Sequence, residues 1–132
     1  MQKIVTLILA ASAIIFSAQS KAQEKVKWKE MEDFHTIMAA TFHPSEEGKL
    51  EPIKTRSREM ADKAVAWQQS TAPAGYDKNA VRSSLKKLAK GAKEINRLVK
   101  DKAADAVLKE KLSALHDVFH EIMEKCEKED HM

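Results

Sequence analysis

Apolar residues recur at alternating steps of three and four along four stretches of the chain, which is the spacing of amphipathic α-helices. No stretch shows the strict alternation expected of a half-buried β-strand. The pattern predicts helices over about 25–42, 52–70, 78–100 and 102–128. The four stripes expected to face the core are Trp28, Met31, His35, Met38 and Phe42; Ile53, Ser57, Met60, Ala64 and Trp67; Val81, Leu85, Leu88, Ala92, Ile95 and Val99; and Leu108, Leu112, Leu115, Phe119, Ile122 and Cys126.

Turn-forming residues mark two of the three breaks between these stretches. Glycine and proline cluster there, at Pro44, Gly48 and Pro52 and again at Pro73 and Gly75. The third break, near 100–102, has neither residue. Asp77 and Asp101 are predicted to cap the helices that follow them. Helices of this length with short connections predict an all-α fold, an antiparallel up-down-up-down four-helix bundle.

The first 22 residues differ from the rest of the chain. A basic start at Lys3 is followed by an uncharged, mostly apolar run over 4–18 and by small residues around Ser20-Lys21-Ala22. That order is typical of a secretory signal peptide, and the run is shorter than the roughly 20 residues that span a bilayer. We expect residues 1–22 to be removed on export, leaving residues 23–132 as a periplasmic domain without a membrane anchor.

Removal of this segment changes the charge of the protein. The whole chain has 132 residues, with 23 Lys and Arg against 20 Asp and Glu. Lys3 and Lys21 leave with the signal, so the mature domain is expected to carry 21 basic and 20 acidic residues. A near-neutral domain predicts no nucleic acid and no anionic membrane as its main partner. The single cysteine, Cys126, excludes a disulfide within the chain and is expected to be a small buried hydrophobe, although a disulfide-linked dimer stays open.

Histidines are the residues that depart most from a purely structural bundle. His35 lies in the first stripe, and His116 and His120 are one turn apart on the last helix. In an antiparallel pair of these two helices, residues at one level have numbers that sum to about 155, which places His35 level with His120. His43 is a fourth candidate at the end of the first helix. This placement predicts a transition-metal site, while histidines that are only hydrogen-bonded or solvated remain the structural alternative.

The sequence gives less support to methionine ligands, to catalysis and to a di-iron site. Met31 and Met38 are either core fillers or soft ligands for copper or haem iron. The chain has no nucleophile in a recognisable turn and no glycine-rich phosphate loop, so we expect no enzyme. A di-iron site needs Glu-x-x-His on two helices. Glu32 with His35 supplies one such pair and Asp117 with His120 only a shorter version, which leaves a binuclear site as a minor alternative.

Three segments of the chain resemble parts of a known family. The run from Ala64 to Pro73 (AVAWQQSTAP) resembles the end of the second helix and the following loop in the cytochrome c′ / cytochrome b562 superfamily, and the tight connection over 98–104 is comparable. The last helix contains Leu115-His116-Asp117-Val118-Phe119-His120, with an aromatic-His pair where that superfamily has its haem-ligating histidine. The resemblance covers essentially the whole mature chain, from Lys25 to about Lys128, and implies the same bundle fold.

The resemblance also implies a cofactor. His120 would be one axial ligand of a haem, and His35 would replace the axial Met, with Met31 or Met38 as substitutes. The attachment motif Cys-x-x-Cys-His is absent, so the resemblance implies non-covalent haem b for electron transfer or haem carriage, with an unidentified redox partner. The alternative is a periplasmic Cu, Zn or Ni binding protein that uses His35, His43, His116 and His120 and delivers to a metal-handling partner. A structural or partner-binding bundle without cofactor is the third hypothesis.

The signal peptide can be tested by the N-terminus of the exported protein. Cleavage after Ala22 leaves Gln23 as the first residue, and the competing small-residue site ending at Ser20 leaves Lys21. Intact mass and N-terminal sequencing of the protein from a periplasmic fraction distinguish the two. A protein that keeps Met1 and sediments with membranes would contradict the prediction.

Overall fold

The computed structural model describes residues 26–128, and this part of the chain consists of four helices joined by short loops. They are α1 (Lys29–Glu46), α2 (Glu51–Gln69), α3 (Lys78–Lys100) and α4 (Asp105–Lys128). No strand occurs between residues 26 and 128, so the predicted all-α fold with four helices is confirmed. No helix in this range is long and apolar enough to cross a membrane. The predicted signal peptide lies outside the described residues.

The first helix begins and ends later than predicted. It continues through Pro44, which the prediction for 25–42 had placed in a loop. A proline removes one N–H donor but does not by itself stop a helix that is already in its last turn. The stop comes at Gly48, whose φ of +79° takes the chain into the left-handed region that glycine adopts without steric cost. The Lys49 N–H then donates to the Pro44 carbonyl at 2.9 Å and closes the turn.

The connection between α3 and α4 also differs from the prediction. Asp101 was expected to cap a helix beginning at 102, but its N–H donates to the Arg97 carbonyl, so it closes α3 instead. Lys102 has a φ of +56°, which ends the helical path, and α4 begins only at Asp105. The predicted cap at the start of α3 is confirmed, because the Asp77 side chain accepts the backbone N–H at position 79.

Aromatic rings from three helices form the centre of the core. The ring of Phe34 on α1 lies 5.7 Å from the rings of both Trp67 on α2 and Phe119 on α4, measured between centroids. Trp28, just before α1, meets Trp67 edge-on at 6.1 Å. All four side chains are buried. These large rings interlock, so they fix how far apart α1, α2 and α4 lie and how each helix is rotated.

The side of α1 that faces the core is rotated from the predicted one. Phe34 is fully buried and His35 is exposed, whereas the sequence pattern had placed His35 in the stripe. The buried positions of α1 are Met31, Phe34, Ile37, Met38, Thr41 and Ser45. Steps of three and four that start at Met31 reach either Phe34 or His35, and burial favours the phenylalanine because its ring loses no hydration of polar atoms.

Side-chain hydrogen bonds tie the ends of neighbouring helices together. The Trp28 indole N–H donates to Ser70 Oγ at 2.8 Å, which joins the beginning of α1 to the end of α2. The Lys125 ammonium donates to Ser84 Oγ at 3.0 Å, which joins the end of α4 to the first turns of α3. α1 packs on α2, α2 on α3 and α3 on α4, and α1 approaches α4 less closely than these consecutive pairs.

Two neighbouring substitutions test the rotation of α1. Phe34→Ala should lower the free energy of unfolding by about 3–5 kcal/mol, because it removes a fully buried ring. His35→Ala should change it by no more than about 0.5 kcal/mol, since the side chain is exposed. Chemical denaturation of both variants measures the difference. Equal losses, or a larger loss for His35→Ala, would show that His35 is the residue that faces the core.

Candidate metal site between the first and last helices

Four histidines lie in one groove where α1 and α4 face each other. The groove has a volume of about 230 Å³ and is lined by His35, Met38, Ala39, Phe42, His43, His116, Phe119 and His120. The structure therefore brings together all four histidines that the sequence marked as candidate metal ligands. His35 and His120, which the helix rise was expected to place at one level, both line this groove.

Two of these histidines already point their ring nitrogens at each other. His116 Nε2 and His120 Nε2 are 3.1 Å apart, and the ring centroids are 4.3 Å apart. The two residues are one helical turn apart on α4, so their side chains leave the same face of the helix. In the absence of a metal, one imidazole donates its Nε2–H to the lone pair of the other.

Phenylalanine rings hold the imidazoles in position. The ring of Phe42 stacks on His116 with a centroid distance of 3.7 Å and an interplanar angle of 8°. Phe119 lies 5.2 Å from His35 and 6.1 Å from His120. The close stacking on Phe42 restricts the rotamers of His116, which reduces the entropy that this side chain loses when a ligand binds.

The sequence interpretation did not assign these phenylalanines to the site. A signal was nevertheless present, because three Phe-His pairs occur in the chain: Phe34-His35, Phe42-His43 and Phe119-His120. In a helix, adjacent residues are about 100° apart, so one member of a pair can face the core while the other borders a groove. Phe119 and His120 show this arrangement directly, with Phe119 buried and His120 exposed.

The four histidines differ in exposure. His116 is half-buried, whereas His35, His43 and His120 are exposed. His35 therefore needs no internal hydrogen-bond partner, contrary to the reasoning that placed it in the core. Its side chain and that of His43 lie at the rim of the groove, where rotation about χ1 and χ2 costs little packing.

Burial lowers the pKa of the His116 imidazole below its usual value. The positive charge that His120 acquires on protonation has the next largest effect in the same direction, and His43 adds a smaller one. Asp117 and Glu46 act in the opposite direction. The neutral imidazole, which is the form that binds metals, is thereby favoured at His116.

The spacing of the pair fits metal chelation. Two nitrogens that each lie about 2.0–2.1 Å from one ion are about 2.9 Å apart at a right angle and about 3.4 Å apart at the tetrahedral angle. The observed 3.1 Å between His116 Nε2 and His120 Nε2 falls between these values. Within residues 26–128, no three His, Cys, Asp or Glu side chains are already placed around one point. A third protein ligand would come from His35 or His43 after a rotamer change.

The residues that the resemblance implied for a haem are brought together only in part. His35, His120 and Met38 line the groove, and Phe34 is buried in the core. The small residues that could have opened a slot, Ala61, Ala64, Ala89 and Ala92, are themselves packed in the core. Met31 is buried and does not line the groove, so it is not placed as a partner of the histidines.

The remaining candidates lie away from the groove. Cys126 is buried near the end of α4, as expected for a small hydrophobe, and does not line the groove. Glu32 and Asp117, the carboxylates considered for a di-iron site, are not among the groove residues either. His131 lies outside the described residues.

The titration of His116 should make stability depend on pH. Because its pKa is lowered by folding, the unfolded chain binds this proton more readily than the folded chain. The contribution is complete above the unfolded pKa of about 6.5 and is lost as the pH falls through that value towards the folded pKa.

Denaturation in the presence of a chelator at about pH 7.5 and about pH 5.5 measures this loss. His116→Gln should lose less stability between the two pH values than the unsubstituted chain. The charges that face His116 are those of His120, His43, Asp117 and Glu46, and they are unchanged in this variant. Equal losses in both proteins would show that His116 contributes nothing to the pH dependence.

Comparisons with protein-family models, with curated proteins and with solved structures found no match for this chain. The similarity of residues 64–73 and of the last helix to the cytochrome c′ / cytochrome b562 superfamily therefore stays a prediction. What the molecule does has to be inferred from the geometry of its groove and the chemistry of imidazole.

Proposed function

We propose that this chain binds a divalent transition-metal ion in the groove between α1 and α4. His116 and His120 are the two primary ligands, and His35 and His43 complete the coordination together with water. The observation that carries the proposal is the 3.1 Å separation of two Nε2 atoms inside a groove that two further histidines border. An ion would replace the single proton that the pair shares.

The environment of the pair favours binding near neutral pH. Metal and proton compete for the same lone pairs, so the lowered pKa of His116 reduces the competition. The Phe42 ring covers one face of His116 and limits its motion. Imidazole ligands suit copper, zinc and nickel, and for equal geometry affinity increases from Ni²⁺ to Cu²⁺ and is lower again for Zn²⁺. We expect Cu²⁺ to bind most tightly.

The biological role that we propose is metal carriage or electron transfer outside the cytoplasm, not catalysis. It rests on the predicted signal peptide over 1–22 and on an antiparallel up-down-up-down arrangement of the four helices. The bonds from Trp28 to Ser70 and from Lys125 to Ser84, which join helix beginnings to helix ends, support that arrangement. The partner would be a metal-handling or redox protein of the same compartment.

A double substitution in the groove tests the proposal. His116→Ala with His120→Ala should weaken Cu²⁺ binding by at least about a hundredfold, because both preformed ligands are lost. Isothermal titration and elemental analysis measure affinity and stoichiometry, and we expect one ion per chain. Gln69→Ala with Ser83→Ala is the control, since both residues are exposed and neither lines the groove, and it should bind as the unsubstituted chain does.

Single substitutions identify the third ligand. His35→Ala or His43→Ala should weaken binding less than the double substitution, by about tenfold for the residue that completes the site. If the His116/His120 double variant binds copper as tightly as the unsubstituted chain, the proposal is wrong. Absorbance spectra after addition of haem b test the other cofactor: a Soret band that disappears in His120→Ala but persists in the unsubstituted chain when a metal chelator is present would favour haem.

A further inference from the structure

Positive charge is concentrated on one helix of this near-neutral chain. Of the 23 Lys and Arg in the sequence, nine lie between residues 78 and 102, on α3 and the two residues that follow it. Over the same range the only acidic residues are Glu94 and Asp101. We predicted no anionic partner from the net charge of the chain. The net charge does not show that the positive residues are concentrated between residues 78 and 102.

Most of these cations form no ion pair with a carboxylate in the part of the chain that the structure describes. Among the described residues, the ion pairs within 4.0 Å on α3 and its end are Glu94 with Lys111 and Arg97 with Asp101. The cations of α3 that pair with no described carboxylate at that distance include Lys78, Arg82, Lys86, Lys87, Lys90 and Lys93. Their fields add up over the first four turns of the helix, which attracts anions.

Three of them surround one cavity. It has a volume of about 270 Å³, lies between the end of α2 and the beginning of α3, and is lined by Gln68, Lys78, Arg82, Leu85 and Lys86. We call it the basic cavity. Lys78, Arg82 and Lys86 follow each other at steps of four, so they share one face of α3. No carboxylate lines the basic cavity, and its size suits a small ligand.

The donors of the basic cavity are partly fixed in place and mostly unused. The Lys78 ammonium donates one hydrogen bond to the Ser70 carbonyl, which leaves two of its three N–H groups. Arg82 donates from Nη2 to the Asn79 side-chain oxygen at 2.9 Å and keeps its other N–H groups. Lys86 and the amide of Gln68 add further donors. An anion with several oxygens could accept from all four side chains.

The direction of α3 adds to this attraction. The cavity lies at the beginning of the helix, where the backbone dipole is positive. The Asp77 cap offsets part of this partial charge, and the first turn of α3 adds no further acidic residue. The Asp77 side chain caps the helix through the N–H of residue 79 and does not line the cavity.

We propose that the basic cavity binds a phosphate group. Phosphate has several strong acceptor oxygens and up to two negative charges, and a guanidinium with flanking ammonium groups is the side-chain set that recognises it. The group could belong to a soluble phosphate compound or to a phospholipid head group, which present the same chemistry to Lys78, Arg82 and Lys86. The site is independent of the histidine groove, which lies between α1 and α4.

Binding of pyrophosphate to the full chain tests the proposal. Isothermal titration at low ionic strength should detect binding, and Arg82→Gln with Lys86→Gln should weaken it at least tenfold. Lys93→Gln with Lys100→Gln is the matched control: it also removes two positive charges from α3, but neither residue lines the cavity. The control should weaken binding less than about threefold, because only the long-range field changes. All four residues are exposed, so folding should be unaffected.

Co-sedimentation with vesicles distinguishes the two sources of phosphate. Vesicles of phosphatidylglycerol in phosphatidylcholine are compared with phosphatidylcholine alone, using the same variants. Binding of pyrophosphate without vesicle binding assigns the cavity to soluble phosphates, and vesicle binding that the cavity variant loses assigns it to head groups. The proposal is overturned if neither probe binds, or if the control variant loses as much binding as the cavity variant.

Discussion

The ring of Phe119 connects the core of this protein to its candidate site. On its inner side it packs against Phe34 and Trp67, and on its outer side it lies beside His35 and His120. A ring of this size between α1 and α4 keeps their backbones apart, and the groove occupies the space that remains. Core packing therefore limits the dimensions of the groove, and the histidines that line it border a closely packed interior.

The number and type of the helices could be predicted because the hydrophobic period is a property of short stretches of sequence. Their ends could not, because each depends on a single backbone conformation. The positive φ of Gly48 ends α1 after Pro44, and that of Lys102 moves the beginning of α4 to Asp105. The positions of the proline residues did not predict these φ angles. No feature of the sequence indicated that Lys102 would adopt a positive φ.

Co-location of the four histidines could be predicted, although the rotation of α1 could not. An error of one residue moves a side chain only about 1.5 Å along the helix axis but turns it by about 100°. The predicted position of His35 along the helix axis, opposite His120, was therefore not affected by the error that placed His35 in the core and Phe34 outside it. Net charge has a similar limit: a sum over the chain contains no positions, so it could not predict that nine of the 23 Lys and Arg lie between residues 78 and 102.

The concentration of positive charge on α3 makes one side of the molecule more basic than the opposite side. α1 packs on α2 and α4, and α3 packs on the same two helices, so α3 and α1 are on opposite sides of the bundle. A negatively charged surface would turn α3 towards itself through long-range attraction before any contact forms. The side of the molecule that carries α1 and the mouth of the histidine groove would then face away from that surface. A protein held in this way would leave its histidine groove accessible to a third molecule while it stays attached.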